Sequence, residues 1–300
     1  MSCSITVRAP AKINIGLEVK PVRGDGYHDI RSIFTTVNLF DTITVARIEK
    51  ENTCEVECEG MVLPSDNTFT AAYKAFCVLT GIQCGFHVTV EKHIPSGGGL
   101  GGGSSDASSF IQSIDVLSDT HLKASDLHKI AGMVGSDCFF FTRALLDGKS
   151  GGRFAACVEG RGEIVTPIPA RQDFDVILVF PGVSVSTKLA YAWVDETGAG
   201  KHSSGFCMED EYNKSVSQWR FVNDFTKPVA GRFKKISEAI TDLKNCGANF
   251  VDMSGSGSTV FGIFERKSVR SSLCHDVAAL ESSTSFALKT LSEKWLAVLA

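Results

Sequence analysis

The sequence predicts an α+β fold, and three observations carry that reading: a strand-rich N-terminal part, helix-periodic stretches from residue 68 onward, and no regular strand–helix–strand alternation. Three hundred residues, 43% hydrophobic and 21% charged, suffice for one large or two medium globular units and exclude disorder, collagen and coiled coil. The domain change is placed near Thr166, dividing the chain into residues 1–165 and 166–300.

From Lys12 to Lys20 apolar Ile13, Ile15, Leu17 and Val19 alternate with polar or small residues, which predicts a half-buried strand with Lys12 and Asn14 on its other face. The turn-rich Arg23-Gly24-Asp25-Gly26 leads to Tyr27 and His28, and further strands are expected at 41–48, 54–58 and 86–90. Helical spacing covers 68–80, about 105–117 and 122–134, the last closed by Gly135. The stretch 148–152 reads as a loop and 176–180 as a short buried strand. The polar, Gly- and Ser-rich 196–218 reads as a mobile excursion. A helix over 229–243 and a strand–loop–strand over 250–264 complete the chain.

A net charge of −4 offers no excess of cations for a nucleic-acid backbone. No apolar stretch approaches the roughly 20 residues that cross a bilayer, and the opening MSCSITVRAPAK lacks the apolar region of a signal peptide. The expectation is a cytoplasmic protein without nucleic-acid or membrane partners. Most of the ten cysteines sit in apolar segments and read as buried thiols, and no Cys/His spacing builds a zinc site.

The segment that carries chemistry is Pro95-Ser96-Gly97-Gly98-Gly99-Leu100-Gly101-Gly102-Gly103-Ser104-Ser105, between an alternating strand and a helix. Six glycines in seven positions remove the β-carbons that would hold a polyanion off the backbone, and the helix start adds a positive dipole end. Ser104 and Ser105 are candidates to cap that helix, to hydrogen-bond phosphate or to reach magnesium. A Rossmann reading needs an acidic residue at the end of a second strand about 20 positions on, and a Walker A loop needs Lys after the glycines; neither is present.

Pro95 to Ala107 resembles the phosphate loop of the GHMP kinases, the galacto-, homoserine, mevalonate and phosphomevalonate kinases. Ala9-Pro10-Ala11-Lys12-Ile13-Asn14 is similar to the first motif of that family, Gly26-Tyr27-His28 to a pyrimidine-recognising turn in one branch, and Met253 to Gly257 to its C-terminal glycine loop. The resemblance implies a two-domain fold with the active site in the interdomain cleft, ATP with Mg2+ as cofactor, and a small-molecule alcohol as acceptor. The branch with this turn phosphorylates the 2-hydroxyl of a cytidine-diphosphate-linked methylerythritol in bacterial non-mevalonate isoprenoid synthesis. Homoserine or mevalonate-type acceptors, or a non-catalytic nucleotide-binding relative, are the competing readings.

Carried onto this chain, the resemblance makes Asp137 the base that takes the hydroxyl proton and Lys12 its partner. Phe139 stands where the family has Pro. Residues 95–105 and Asn67 fall on the ATP side, while Asn14, Tyr27, His28 and Thr187 fall on the acceptor side. Asn67 is equally explained as a helix cap. No metal ligand is assigned, and the chain is expected to be a monomer or homodimer.

Overall fold

Two long strands organise the N-terminal half of the computed structural model, which describes residues 3–147, 153–198, 205–266 and 277–300. β1 (Ser4–Val22) and β2 (His28–Ile48) run antiparallel along their whole length, with register shifts at Pro10/Ala11, Ile15/Leu17 and Val19/Val22. The expected half-buried strand is instead buried on both faces from Ala11 to Val19, because layers cover it above and below. Lys12 and Asn14 therefore lie inside the protein.

β3 (Cys54–Cys58) leads through α1 (Thr68–Thr80) to β4 (Gly85–Glu91), which pairs parallel with β3 and antiparallel with the last third of β2. Three helices follow: α2 (Gly102–Leu117), α3 (Ala124–Val134) and α4 (Ser136–Leu146). They pack with α1 on one side of the sheet through Phe69, Phe76, Phe110, Ile114 and Ile130. β5 (Ala155–Gly160) and β6 (Ile164–Ile168) complete a six-stranded sheet.

The second half starts with β7 (Phe174–Phe180) and α5 (Thr187–Thr197), followed by the short helix α6 (Met208–Tyr212) and a 3-10 turn at Val216–Gln218. Then come α7 (Thr226–Ala230), α8 (Lys234–Asn245), β8 (Phe250–Met253), β9 (Val260–Glu265), α9 (Val277–Ser292) and β10 (Leu296–Leu299). The four strands form an antiparallel sheet in the order β10-β7-β9-β8.

The two sheets share one hydrophobic core in which Ile13, Ile15 and Ile33 meet Phe174, Val176 and Phe261. Backbone bonds from Leu17 N to Val222 O (2.9 Å) and from Asp224 N to Leu17 O (2.9 Å) tie β1 to the segment before α7.

Several expected boundaries move. The helix after the glycines starts at Gly102 and not near Ser105, because Gly102 and Gly103 already take helical geometry. The single helix expected over 229–243 is two, α7 and α8, separated at residues 231–233. Of the excursion over 196–218, residues 199–204 lie outside the described residues, as does the expected loop at 148–152. The described remainder is anchored and not a mobile excursion: Tyr212 and Val216 are buried in the shared core, where their apolar area outweighs the polar composition around them.

Candidate active site

The glycine loop leaves β4 and enters α2 with Gly97, Gly99 and Gly101 at φ +69°, +77° and +70°. Left-handed residues at alternate positions turn successive N–H groups toward one concavity. Leu100, 1% exposed, pins the middle of the loop in the core. Close approach matters as much as φ: a β-carbon on Gly99 would lie 2.0 Å from the Ser254 carbonyl oxygen. Ser254 Oγ donates to Gly99 O at 2.8 Å, and Thr259 N donates to Gly98 O at 3.2 Å. The C-terminal glycine loop thus backs the phosphate loop directly.

Residues 94–104 line a cavity of about 350 Å³ together with Met61, Leu63, Asn67, Thr68, Phe69, Lys92 and Asp106. The lining combines apolar Met61, Leu63 and Phe69 with the glycines, a mixture suited to a base and its phosphates. Ser104 lines the cavity; Ser105 does not. Ser105 is fully buried one residue further along α2, its hydroxyl without a partner. Neither serine caps the helix, because the N-cap position belongs to Gly101, whose carbonyl accepts from the amides of Ser104 and Ser105. Asn67 caps α1, its Oδ1 accepting from the amides of Phe69 (3.0 Å) and Thr70 (3.1 Å) while it also borders the cavity.

Next to the loop, where a β-carbon on Gly101 would meet Lys12 Cε at 3.2 Å, Lys12 Nζ lies 3.5 Å from Asp137 Oδ2. Asp137 sits in the first turn of α4, where the helix dipole favours a carboxylate, and its side chain keeps 32% of its surface open. Lys12 donates to Asn14 Oδ1 at 2.6 Å and sits 4.6 Å over the Phe34 ring. Burial pushes the Lys12 ammonium below its ordinary pKa of 10.5, and the Asp137 charge works against that fall. Asn14 is fully buried, and its Nδ2 donates to Ser32 Oγ at 3.3 Å. The geometry therefore gives Asn14 to Lys12 as a support and does not expose it to an acceptor. Phe139 is accommodated within α4, its ring 4.5 Å from that of His128.

Tyr27, His28 and Thr187, expected on the acceptor side, are held by three separate sets of contacts. Tyr27 is 53% exposed, with the Arg161 guanidinium 3.7 Å above its ring. His28 stacks on Tyr191 at 5.0 Å and 21°, its Nδ1–H donates to Lys20 O at 2.8 Å, and its Nε2 lies 3.4 Å from Asp195 Oδ2. Thr187 Oγ1 shares a 3.0 Å hydrogen bond with Ser256 Oγ of the C-terminal loop.

Sequence reasoning missed three contributors. Tyr191 packs between His28 and Phe225, and burial followed by the Asp137 charge pushes its hydroxyl up to about 12. Asn223 donates to the carbonyls of Met253 (2.6 Å) and Gly255 (2.8 Å) and so holds the C-terminal loop. Lys92 bridges Asp41 and Asp106 under the phosphate loop, with Asp41 also accepting from the amides of His93 and Ile94. Only the Pro181-Gly182 break before α5 could have drawn attention to Tyr191; the other two pairings join residues too far apart in sequence to show a spacing.

Comparison with known proteins places the chain in a family. The GHMP kinases N terminal domain matches residues 67–144 and the GHMP kinases C terminal domain matches residues 214–280. The chain belongs to the GHMP kinase family, and it is an ATP-dependent small-molecule kinase of mixed α and β structure. Within that family it is 37% identical over 271 residues to the 4-diphosphocytidyl-2-C-methyl-D-erythritol kinase of Treponema pallidum, covering 87% of this chain and 90% of that one. The enzyme of the same name from Thermodesulfovibrio yellowstonii is 34% identical over 270 residues, covering 88% and 90%. A crystal structure of 4-(cytidine 5'-diphospho)-2C-methyl-D-erythritol kinase superposes with a TM-score of 0.77 at 26% identity, covering 98% of each chain.

Proposed function

We propose that this kinase transfers the γ-phosphoryl group of ATP to the 2-hydroxyl of 4-diphosphocytidyl-2-C-methyl-D-erythritol, a step of non-mevalonate isoprenoid precursor synthesis in the cytoplasm. The observation that carries the chemistry is the buried Lys12 ammonium 3.5 Å from the half-open Asp137 carboxylate, beside a glycine loop. The acceptor is supported by the relatives' shared name, by the stacked His28–Tyr191 pair and by the exposed Tyr27 ring beside it in sequence.

In this reading the loop amides and the start of α2 hold the triphosphate, and Lys12 orients the acceptor hydroxyl and favours its ionised form. Asp137 accepts the proton as the hydroxyl oxygen bonds to the γ-phosphorus and the bond to the β-phosphate oxygen breaks, releasing ADP. Tyr27, His28 and Tyr191 hold the cytosine, so binding energy remote from the reacting oxygen aligns it. Thr187, hydrogen-bonded to Ser256 of the C-terminal loop, borders the acceptor in this reading.

Among the described residues no group of three His, Cys, Asp or Glu side chains gathers around one point. Two oxygen groups of the cavity lining, the Ser104 hydroxyl and the Asp106 carboxylate with its Oδ1 unpartnered, are hard donors that suit a Mg2+ that keeps waters and phosphate oxygens as its other ligands. Bound there, the ion would neutralise charge on the phosphates.

Turnover of ATP with the cytidyl acceptor, mevalonate and homoserine in parallel tests the reading. Phosphorylation of the cytidyl acceptor alone is expected. Preference for either other alcohol overturns the acceptor assignment, and nucleotide binding without any turnover overturns the enzyme.

A further inference from the structure

The turn between β5 and β6, Gly160-Arg161-Gly162-Glu163, supplies nothing to the phosphates, yet it touches both ends of the acceptor side. The Arg161 guanidinium lies 3.7 Å over the Tyr27 ring. Gly162, at φ +115°, approaches the start of α4 so closely that a β-carbon there would sit 3.0 Å from the Ser136 carbonyl oxygen, one residue before Asp137. The Arg161 amide donates to the Glu163 carboxylate and closes the turn. One short, internally bonded turn therefore connects the helix end that carries the carboxylate to the aromatic of the β1–β2 turn.

Tyr27 is half exposed and anchored mainly through its backbone: its amide donates to Asp25 Oδ1 at 3.1 Å, and its carbonyl accepts from Arg23 N at 2.7 Å. A ring held only by backbone bonds loses rotamer freedom when a ligand stacks on it, and that loss weakens binding. A guanidinium over one face restrains the ring beforehand and leaves the opposite face for the ligand.

We infer that Arg161 is a positioning residue for the acceptor, acting through Tyr27 by backing one face of the ring so that the other is presented to a pyrimidine. The inference rests on the proposed cytidyl acceptor. An arginine that merely rests on a neighbouring ring would leave the kinetics unchanged.

The test is steady-state kinetics of the full chain with Arg161→Ala, Arg161→Lys, Tyr27→Leu and the Arg161→Ala/Tyr27→Leu double variant, with thermal midpoints measured alongside. Arg161→Ala should raise the acceptor KM roughly two- to fivefold, the size of an exposed cation–π contact, with kcat and the KM for ATP unchanged. Arg161→Lys, which keeps a cation over the ring, should recover most of that loss, and it decides the matter if the alanine variant melts early. The double variant should match Tyr27→Leu alone. An unchanged acceptor KM in Arg161→Ala, a lysine variant as impaired as the alanine one, or losses that multiply in the double variant each overturn the inference. A parent enzyme that does not turn over the cytidyl acceptor is a different outcome: the proposed activity falls, and this inference falls with it.

Discussion

The backbone amide of Lys12 donates to the carbonyl of Leu100 at 3.0 Å, so the strand that carries the buried ammonium also holds the middle of the phosphate loop. The spacing between the glycine loop and the base of the Lys12 side chain is thereby fixed at the backbone of β1. For a reaction in which alignment supplies most of the acceleration, that rigid link matters more than any single polar contact.

Asp137→Asn should leave ATP affinity within about twofold of the parent while kcat falls roughly a hundredfold or more, the scale of a lost general base. The same variant has a pH consequence. Burial lowers the Lys12 pKa and the Asp137 charge raises it, so removing that charge leaves burial less opposed. The alkaline limb of the residual activity should move to lower pH. Profiles of kcat against pH for parent and variant check this, and a limb that stays in place would separate Lys12 from the turnover.

Gly99→Ala and Gly103→Ala should behave oppositely. At Gly99 the left-handed backbone alone costs an alanine about 1–3 kcal/mol, and its methyl would meet the Ser254 carbonyl at 2.0 Å, so stability and ATP affinity should fall together. At Gly103 the new methyl meets only Thr68, at 3.5 Å, and the site lies within α2, where alanine is the better helix former. Thermal midpoints with and without ATP distinguish the two.

Tyr27→Ala should weaken acceptor binding by about 1–3 kcal/mol, the range for base stacking, with little change in thermal midpoint. Tyr191→Ala should impair acceptor binding and also lower the midpoint, because that ring is packed between His28 and Phe225. Acceptor titrations at saturating ATP, beside melting curves, would show the contrast.

Glu211 provides an acid-stability test far from the chemistry. It accepts from Arg220 Nη2 and from the Arg220 amide, both at 2.7 Å, and from Lys214 at 2.8 Å; these bonds, Arg220 first, hold its carboxyl down to about 2 against an ordinary 4.5. A depressed carboxyl contributes stability that is complete above the ordinary value and lost as pH falls through the folded one. Melting temperatures should therefore drop between pH 4.5 and 2 in the parent, and Glu211→Gln should flatten that part of the curve.

The loop from Pro95 to Ser104, the strand of Lys12 and the carboxylate at Asp137 were legible in the sequence because local rules suffice for them. A glycine tract before a helix, a period of two and a helix stop are each read within about a dozen residues. Asn14 was legible as a neighbour of Lys12 but not as its hydrogen-bond support, since its burial depends on a second layer. The anchoring of Tyr212 and Val216 was hidden by the polar composition around them.

By itself the sequence determined the α+β class, the glycine loop between strand and helix, and the strand that carries Lys12, because backbone conformation and side-chain alternation are local properties. The tertiary structure alone decided which far-separated residues meet: Ser254 on Gly99, Tyr191 on His28, Arg161 over Tyr27 and Asn223 on the loop at 253–255. Those contacts arise when two sheets close over one shared core, and the burial that drives the closure is roughly proportional to apolar area and non-directional. Pairings between residues so distant along the chain are therefore set by the packed whole, and no local spacing encodes them.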